Sequence, residues 1–281
     1  MKTKTFLTFL AITFGLTWGL AALFFIFPEP FTAVFGEIGP GNPIIILAIY
    51  SPGIAGLLLV LRHYGLKGLA SFFRRLALWR APLVWWLFML LGIPVVVFAG
   101  AAVKGTLDTA FPFSPWTQAL PALATALFLG PIEEFGWRGV ALPLLQRKYK
   151  PVWAGLILGV VWALWHVPSF MIGGMPQSTW DAAPFFLGII AISVILTPLF
   201  NASRGSLLIA VFYHFQMMNP IWPDAQPYDN FLFIALALVV VWLNRKTMFS
   251  RDGAVTDVLM PPGQSAQSSY RAAGELQHAR R

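Results

Sequence analysis

The sequence predicts an all-α, polytopic integral membrane protein. Three observations carry that expectation. Of its 281 residues 58% are hydrophobic, and the mean hydropathy is +0.72. Charged residues make up only 11%, where a soluble domain carries roughly 25%. Apolar runs of spanning length, which needs ~20 residues, recur eight times.

The runs lie near 6–27, 43–61, 82–103, 117–145, 152–171, 184–200, 206–218 and 231–243. The first follows Lys2 and Lys4 and so resembles a signal peptide. It exceeds the roughly 7–15 apolar residues of such a region, and no small-residue cleavage site follows, so a retained span is expected. The fourth is long and interrupted by Gly130-Pro131. The seventh is short and closes on Asn219-Pro220, which predicts unwinding at its outer end. Between the second and third, residues 62–80 mix bases with Leu66, Leu69, Phe72, Phe73 and Leu76. That spacing predicts an amphipathic interfacial helix, although a plain basic loop explains the bases equally well. Residues 1–250 thus read as one eight-helix domain. Residues 251–281, with Pro261-Pro262-Gly263-Gln264-Ser265 and no apolar periodicity, predict a disordered polar tail.

Charge sets the expected orientation. Lys and Arg gather before run one, between two and three, after four, after six and after eight. The intervening loops hold Glu29, Glu37, Asp108, Asp181, Asp224 and Asp229, with Lys104 their only base. The alternation puts both termini in the cytoplasm. The net charge of +8 is therefore accounted for by membrane-flanking loops, and no nucleic-acid partner is expected. The partner is the lipid bilayer, and the compact size suggests the inner membrane of a prokaryote. There is no cysteine, which excludes disulfides, Cys-ligated zinc, iron–sulfur clusters and thiol nucleophiles.

One stretch breaks the apolar pattern, Pro131-Ile132-Glu133-Glu134-Phe135-Gly136-Trp137-Arg138-Gly139. A charge at membrane depth costs at least ~2.5–3.5 kcal/mol and marks a functional site by default. On a helix Glu134 and Arg138 share a face and can pair, while Glu133 lies about 100° round and is free for other work. Two further runs carry imidazoles, His166 in the fifth and His214 in the seventh, with Asn219 just beyond. All sit ~12–22 Å from the end of their run that is expected to be cytoplasmic, counted at 1.5 Å per residue. Polar groups from three helices at one level predict one buried site.

A carboxylate with two imidazoles supports two chemistries. Glu133 can act as general base on a water, with a histidine stabilising the oxyanion and Arg138 holding Glu134 out of the chemistry. Alternatively Glu133, His166 and His214 form a zinc set with an open position for water. The residues do not choose between no cofactor and Zn²⁺. A His-Glu-x-x-His helix, a Gly-x-Ser-x-Gly elbow, a P-loop and a dinucleotide fingerprint are all absent. Trp137, Trp162 and Trp165 read as packing or pocket wall, and Gly155 with Gly159 as a close helix contact.

Glu133-Glu134-x-x-x-Arg138, an aromatic-x-x-x-His at Trp162–His166 and His214 two spans later resemble the motifs of the CPBP intramembrane proteases. That family includes CAAX prenyl endopeptidases of the Rce type and bacterial Abi or bacteriocin-processing proteins. The resemblance covers about residues 117–220 and implies an intramembrane endopeptidase acting on a membrane-associated or lipidated peptide, with Glu133 as the base. A site reached from the cytoplasmic side is expected. Two positions depart from the pattern. Trp162 stands where the family has Phe, and Met218 occupies the position four after His214, with Asn219 one later. A proton-coupled transporter, or an inactive CPBP-like scaffold or immunity protein, are the competing functions. The oligomeric state is not legible.

Overall fold

A computed structural model of the chain describes Met1 and residues 4–256, and every regular element among them is a helix. Apart from short helical turns at Trp116–Gln118, Pro176–Thr179 and Arg245–Met248, these are in order α1 (Lys4–Ile26), α2 (Pro28–Phe35), α3 (Pro43–Ala77), α4 (Leu83–Lys104), α5 (Ala119–Leu129), α6 (131–146), α7 (Pro151–Met171), α8 (Ala182–Ala202), α9 (Leu207–Met217) and α10 (Tyr228–Leu243). Where the sequence predicts eight spans, five of these helices are long and apolar enough to cross a membrane: α1, α3, α4, α7 and α8. The fourth run divides into α5 and α6. With 11 and 16 residues, α9 and α10 fall short of the length a crossing needs.

The breaks follow from the residues at them. Asn42 caps α3 by accepting from the Ile44 N–H (2.9 Å), with Pro43 in the first turn. Ser206 caps α9 by accepting from the Ile209 N–H (3.0 Å). Pro168 lacks an N–H, so α7 stops at Trp165 and restarts at Val167, leaving His166 at the junction. α9 ends at Met217, ahead of Asn219-Pro220. In α6 a 3₁₀ turn at Pro131–Glu133 passes through Glu134–Gly136 into a π turn at Trp137–Ala141. The Leu142 N–H reaches back to Trp137 O, which strands Arg138 O, and Pro143 has no N–H to offer Gly139 O.

Those orphaned carbonyls explain a residue that sequence reasoning places wrongly. Within 62–80 a second helical stretch does form, set off from the first part of α3 by non-helical backbone at Gly65. The kink (φ 63°) separates the two parts, and what departs from an amphipathic surface helix is Arg75, which turns inward and is 5% exposed. Its guanidinium donates to Gly139 O (2.9 Å), Gly205 O (2.8 Å) and Arg138 O (3.4 Å). Buried carbonyls without partners are costly, and one arginine satisfies three.

α8 runs through the centre, buried along most of its length. Gly155 and Gly159 of α7 lie flat against it, since an added Cβ would meet Thr197 Oγ1 at 2.5 Å and Ile190 Cα at 2.8 Å. On the other side α3 presses on α6, where an added Cβ on Gly56 would come within 2.8 Å of Phe135 O. Gly136 is tighter still, because its Cβ would run into Pro52 O. Gly136→Ala is therefore expected to destabilise the protein by about 1–3 kcal/mol, as overpacking does, measured as a lowered unfolding midpoint in detergent.

The chain ends and turns at one end of the bundle are lashed together. Gln146 and Asn201 exchange side-chain hydrogen bonds (3.0 and 2.7 Å), and the Met1 ammonium donates to Tyr64 Oη (2.6 Å). Residues 251–256 join this cluster instead of leaving the fold: Val255 N–H donates to Asn201 Oδ1 (3.1 Å) and Arg147 Nε to Thr256 O (3.1 Å). The rest of the expected disordered tail, 257–281, lies outside the described residues.

Candidate active site

Three helices supply the polar groups, as the sequence predicts. α6 brings Glu133, Glu134 and Arg138, the break in α7 brings His166, and the last turns of α9 bring His214. Glu133 (4% exposed) and Glu134 (0%) diverge as neighbours on a helix must. Oε1 of Glu134 accepts from Arg138 Nη1 (2.9 Å), i to i+4, and from His214 Nδ1 (2.8 Å) across from α9. The imidazole is thus fixed by a carboxylate that is itself fixed by a guanidinium. His214 Nε2 faces the end of α5, where a Cβ on Gly130 would lie 3.0 Å from it.

Glu133 is held differently. Its Oε2 accepts from two indoles, Trp162 Nε1 at 2.9 Å and Trp137 Nε1 at 3.3 Å. Oε1 has no partner among the described residues and is not sealed from the adjoining cavity. Sequence reasoning treats both tryptophans as wall, and here it misses their chemistry. The signal was present, since Trp137 is four residues after Glu133 and Trp162 four before His166.

Trp162 is the hub of the site. Beyond its bond to Glu133, its ring lies 4.6 Å from the Arg138 guanidinium carbon, 5.4 Å from the His214 ring and 5.9 Å from the His166 ring. The cation over the indole face offsets part of the cost of burying Arg138, whose Nε and Nη2 have no protein partner among the described residues. Glu134 Oε2 is likewise unpartnered there. His166 donates from Nδ1 to Trp162 O (2.8 Å), so its Nε2 is the acceptor nitrogen of a neutral ring. Trp165 and Phe185 pack edge-on against it at 4.8 and 5.2 Å.

A cavity of about 530 Å³ adjoins these groups. Glu133, His166, His214 and Asn219 line it, whereas Glu134 and Arg138 stand behind the wall. Asn219, past the end of α9, donates from Nδ2 to Gln216 Oε1 at 3.5 Å and accepts from the Ile221 N–H at 3.2 Å. Met218, at the position where the family pattern has an amide, packs against Gly130 beside His214. Glu133, His166 and His214, the alternative zinc set, meet at Trp162, but among the described residues no three of His, Cys, Asp and Glu form a group arranged to hold an ion. Both imidazoles commit Nδ1 elsewhere and one oxygen of Glu133 is taken by indoles.

The remaining walls are mostly apolar, with Gln177, Asp224, Asp229 and Asn230 among the exceptions, and they extend toward the segments at 27–42, 172–181 and 218–228. Those segments lie at the end that the expected orientation puts outside the cytoplasm. Depth counted from one helix end gives a level and does not say from which side the cavity is reached.

Comparison with known proteins agrees with the motifs. Residues 115–218 match the family described as type II CAAX prenyl endopeptidase Rce1-like, which takes in Glu133, Glu134, Arg138, His166 and His214. The chain is also 30% identical over 183 residues to CAAX prenyl protease 2 of Methanococcus maripaludis. That similarity covers 61% of this chain and 66% of the relative's length. The protein belongs to the CPBP family of intramembrane proteases.

Proposed function

We propose that the protein is an intramembrane endopeptidase of the CAAX-protease type that hydrolyses a membrane-associated peptide with water activated by Glu133. One observation supports the reading: Glu133 and the imidazoles of His166 and His214, from three helices, meet around Trp162 on one wall of a largely apolar cavity. Glu133 Oε1 takes a proton from a water that His166 Nε2 holds as acceptor. The hydroxide attacks the scissile carbonyl carbon. With both ring nitrogens protonated, His214 keeps its Nδ1–H on Glu134 Oε1 and donates from Nε2 to the developing oxyanion. The carbon–nitrogen bond then breaks and Glu133 returns the proton to the leaving amine. Glu134 and Arg138 touch no reacting atom. They set the direction of His214, which is the work of supporting groups in any preorganised site. Asn219 supplies a second polar group on the same wall.

The test is a purified sample in liposomes with a membrane-anchored peptide, read by mass spectrometry. Two complementary fragments are expected, and their formation is expected to survive a chelator. Loss of cleavage on chelation, restored by Zn²⁺, would reassign Glu133, His166 and His214 as ligands. Proton-coupled uptake without cleavage would make the protein a transporter, and neither activity would make it a scaffold.

Trp162→Phe separates positioning from packing. The side chain stays aromatic and apolar though smaller, and Glu133 loses its shorter hydrogen bond. A hydrogen bond to a charged group is worth about 1.5 kcal/mol or more, so kcat is expected to fall about tenfold with KM nearly unchanged, measured by steady-state cleavage. An equal fall in expression and activity would assign Trp162 to packing alone.

A further inference from the structure

We propose that Thr17 of α1 and Ser51 of α3 are positioning residues for hydrolysis: they hold the Trp165 indole, which in turn braces the rings of His166 and Trp137. This role rests on the peptidase reading above and extends the working parts to two helices outside residues 115–218.

The anchor originates in a proline. Pro52 lies inside α3 and has no N–H, so Ala48 O, four residues earlier, loses its helical donor. A carbonyl left without a partner inside an apolar bundle is costly. Thr17, facing it from α1, donates its O–H to Ala48 O at 3.0 Å. That spends the one hydrogen of the hydroxyl. Ser51 Oγ lies 2.6 Å from Thr17 Oγ1 and must then be the donor in their contact, which leaves Thr17 a second lone pair. Trp165 Nε1 donates to it at 2.8 Å, with Ser51 Oγ a more distant acceptor at 3.4 Å. All three side chains are buried.

The ring contacts of Trp165 carry this order into the site. It stands edge-on to His166, with ring centres 4.8 Å apart and planes at 81°. His166 sits at the break of α7, so its ring direction depends on such neighbours and on its bond to Trp162 O. Trp165 also stands edge-on to Trp137 at 6.0 Å and 75°, and Trp137 donates to Glu133 Oε2 at 3.3 Å. Phe9, eight residues before Thr17 on the buried face of α1, closes edge-on against Trp137 at 5.3 Å. One helix thus supports both an indole that holds the base and the indole that abuts the water-holding histidine. Buried hydroxyls also join membrane helices with no part in catalysis, and experiment separates the two roles.

Thr17→Val combined with Ser51→Ala removes both acceptors of the Trp165 N–H with little change in side-chain volume. The protein, isotope-labelled at its indole nitrogens, is followed by NMR in detergent micelles, and Trp165→Phe and Trp137→Phe identify the two resonances by their loss. In the double variant the Trp165 N–H resonance is expected to move upfield as its hydrogen bond is lost. That of Trp137 is expected to move with it, although its own acceptor is untouched. In liposomes kcat for a membrane-anchored peptide is expected to fall about fivefold with KM nearly unchanged, the scale of one intramolecular hydrogen bond. Thr17→Val alone leaves Ser51 Oγ within reach of the indole and is expected to show the same changes in smaller measure. Thr17→Ser restores the hydroxyl and is expected to recover both the resonance and most of kcat. A Trp165 resonance that shifts while Trp137 and kcat stay put makes the hydroxyls helix joints only and overturns the assignment. So does a loss confined to KM or to the unfolding midpoint, or a Thr17→Ser protein as impaired as Thr17→Val. The resonances need no peptide, so they report on the brace separately from whether any peptide is cleaved.

Discussion

Glu133→Gln is expected to lower peptide cleavage by a factor of about 10²–10⁴, the usual contribution of a positioned general base. The amide keeps the shape of the side chain, and its oxygen can still accept from Trp162 and Trp137, which donate to Oε2 at 2.9 and 3.3 Å. Removing a buried negative charge also relieves a desolvation cost. The variant should therefore fold and express at least as well as the parent, and lose only turnover. The measurement is the single-turnover rate beside the unfolding midpoint in detergent. Cleavage retained at the parental rate would end the assignment of Glu133 as base, whatever the other residues do.

Arg138→Ala is expected to act through stability first. Arg138 and Glu134 are both 0% exposed and 2.9 Å apart. Taking away one partner of a buried ion pair leaves the other charge uncompensated, which costs about 3–5 kcal/mol. The guanidinium also covers the face of Trp162, so its loss opens a gap beside the hub of the site. Replacing both partners by neutral groups should behave differently, because buried pairs exchanged for uncharged side chains are often neutral or stabilising. Arg138→Met combined with Glu134→Gln is expected to recover most of the unfolding midpoint while leaving cleavage impaired, since His214 then loses the carboxylate that directs it. Thermal unfolding and cleavage measured on the same preparations separate the two contributions. An Arg138→Ala protein as stable as the parent would mean that the pair is not buried in the membrane-embedded fold.

Much of this site was legible without coordinates, because its chemistry is rare for its surroundings. Charges inside apolar runs announce themselves, and i, i+4 spacing correctly pairs Glu134 with Arg138. The agreement in depth of His166, His214 and Glu133 anticipated their meeting on one cavity wall. What escaped has physical reasons. Tryptophan counts as apolar in any hydropathy reading, so the N–H groups that hold Glu133 were invisible, and the exchange of Trp162 for the family's Phe passed as a change of size only. Arg75 sits among bases that orientation already explains, and nothing local marked it as buried. The helix breaks within 117–145 were flagged at Gly130-Pro131, but no local residue pattern marked the π turn that follows, beside the close contact of Gly136 with α3. Helix ends were hard to place for a like reason, because hydropathy sees composition and does not see where a helix stops.

Arg75 carries one more consequence. Its three acceptors belong to α6 and to the turn before α9, the two segments that deliver Glu134 and His214 to each other. A single side chain, rooted in a stretch with no role in hydrolysis, thereby acts as a common tie for both halves of the pair. The alignment of the working groups is set partly from the far side of the bundle, and evolution could retune it there without touching any residue that meets a peptide.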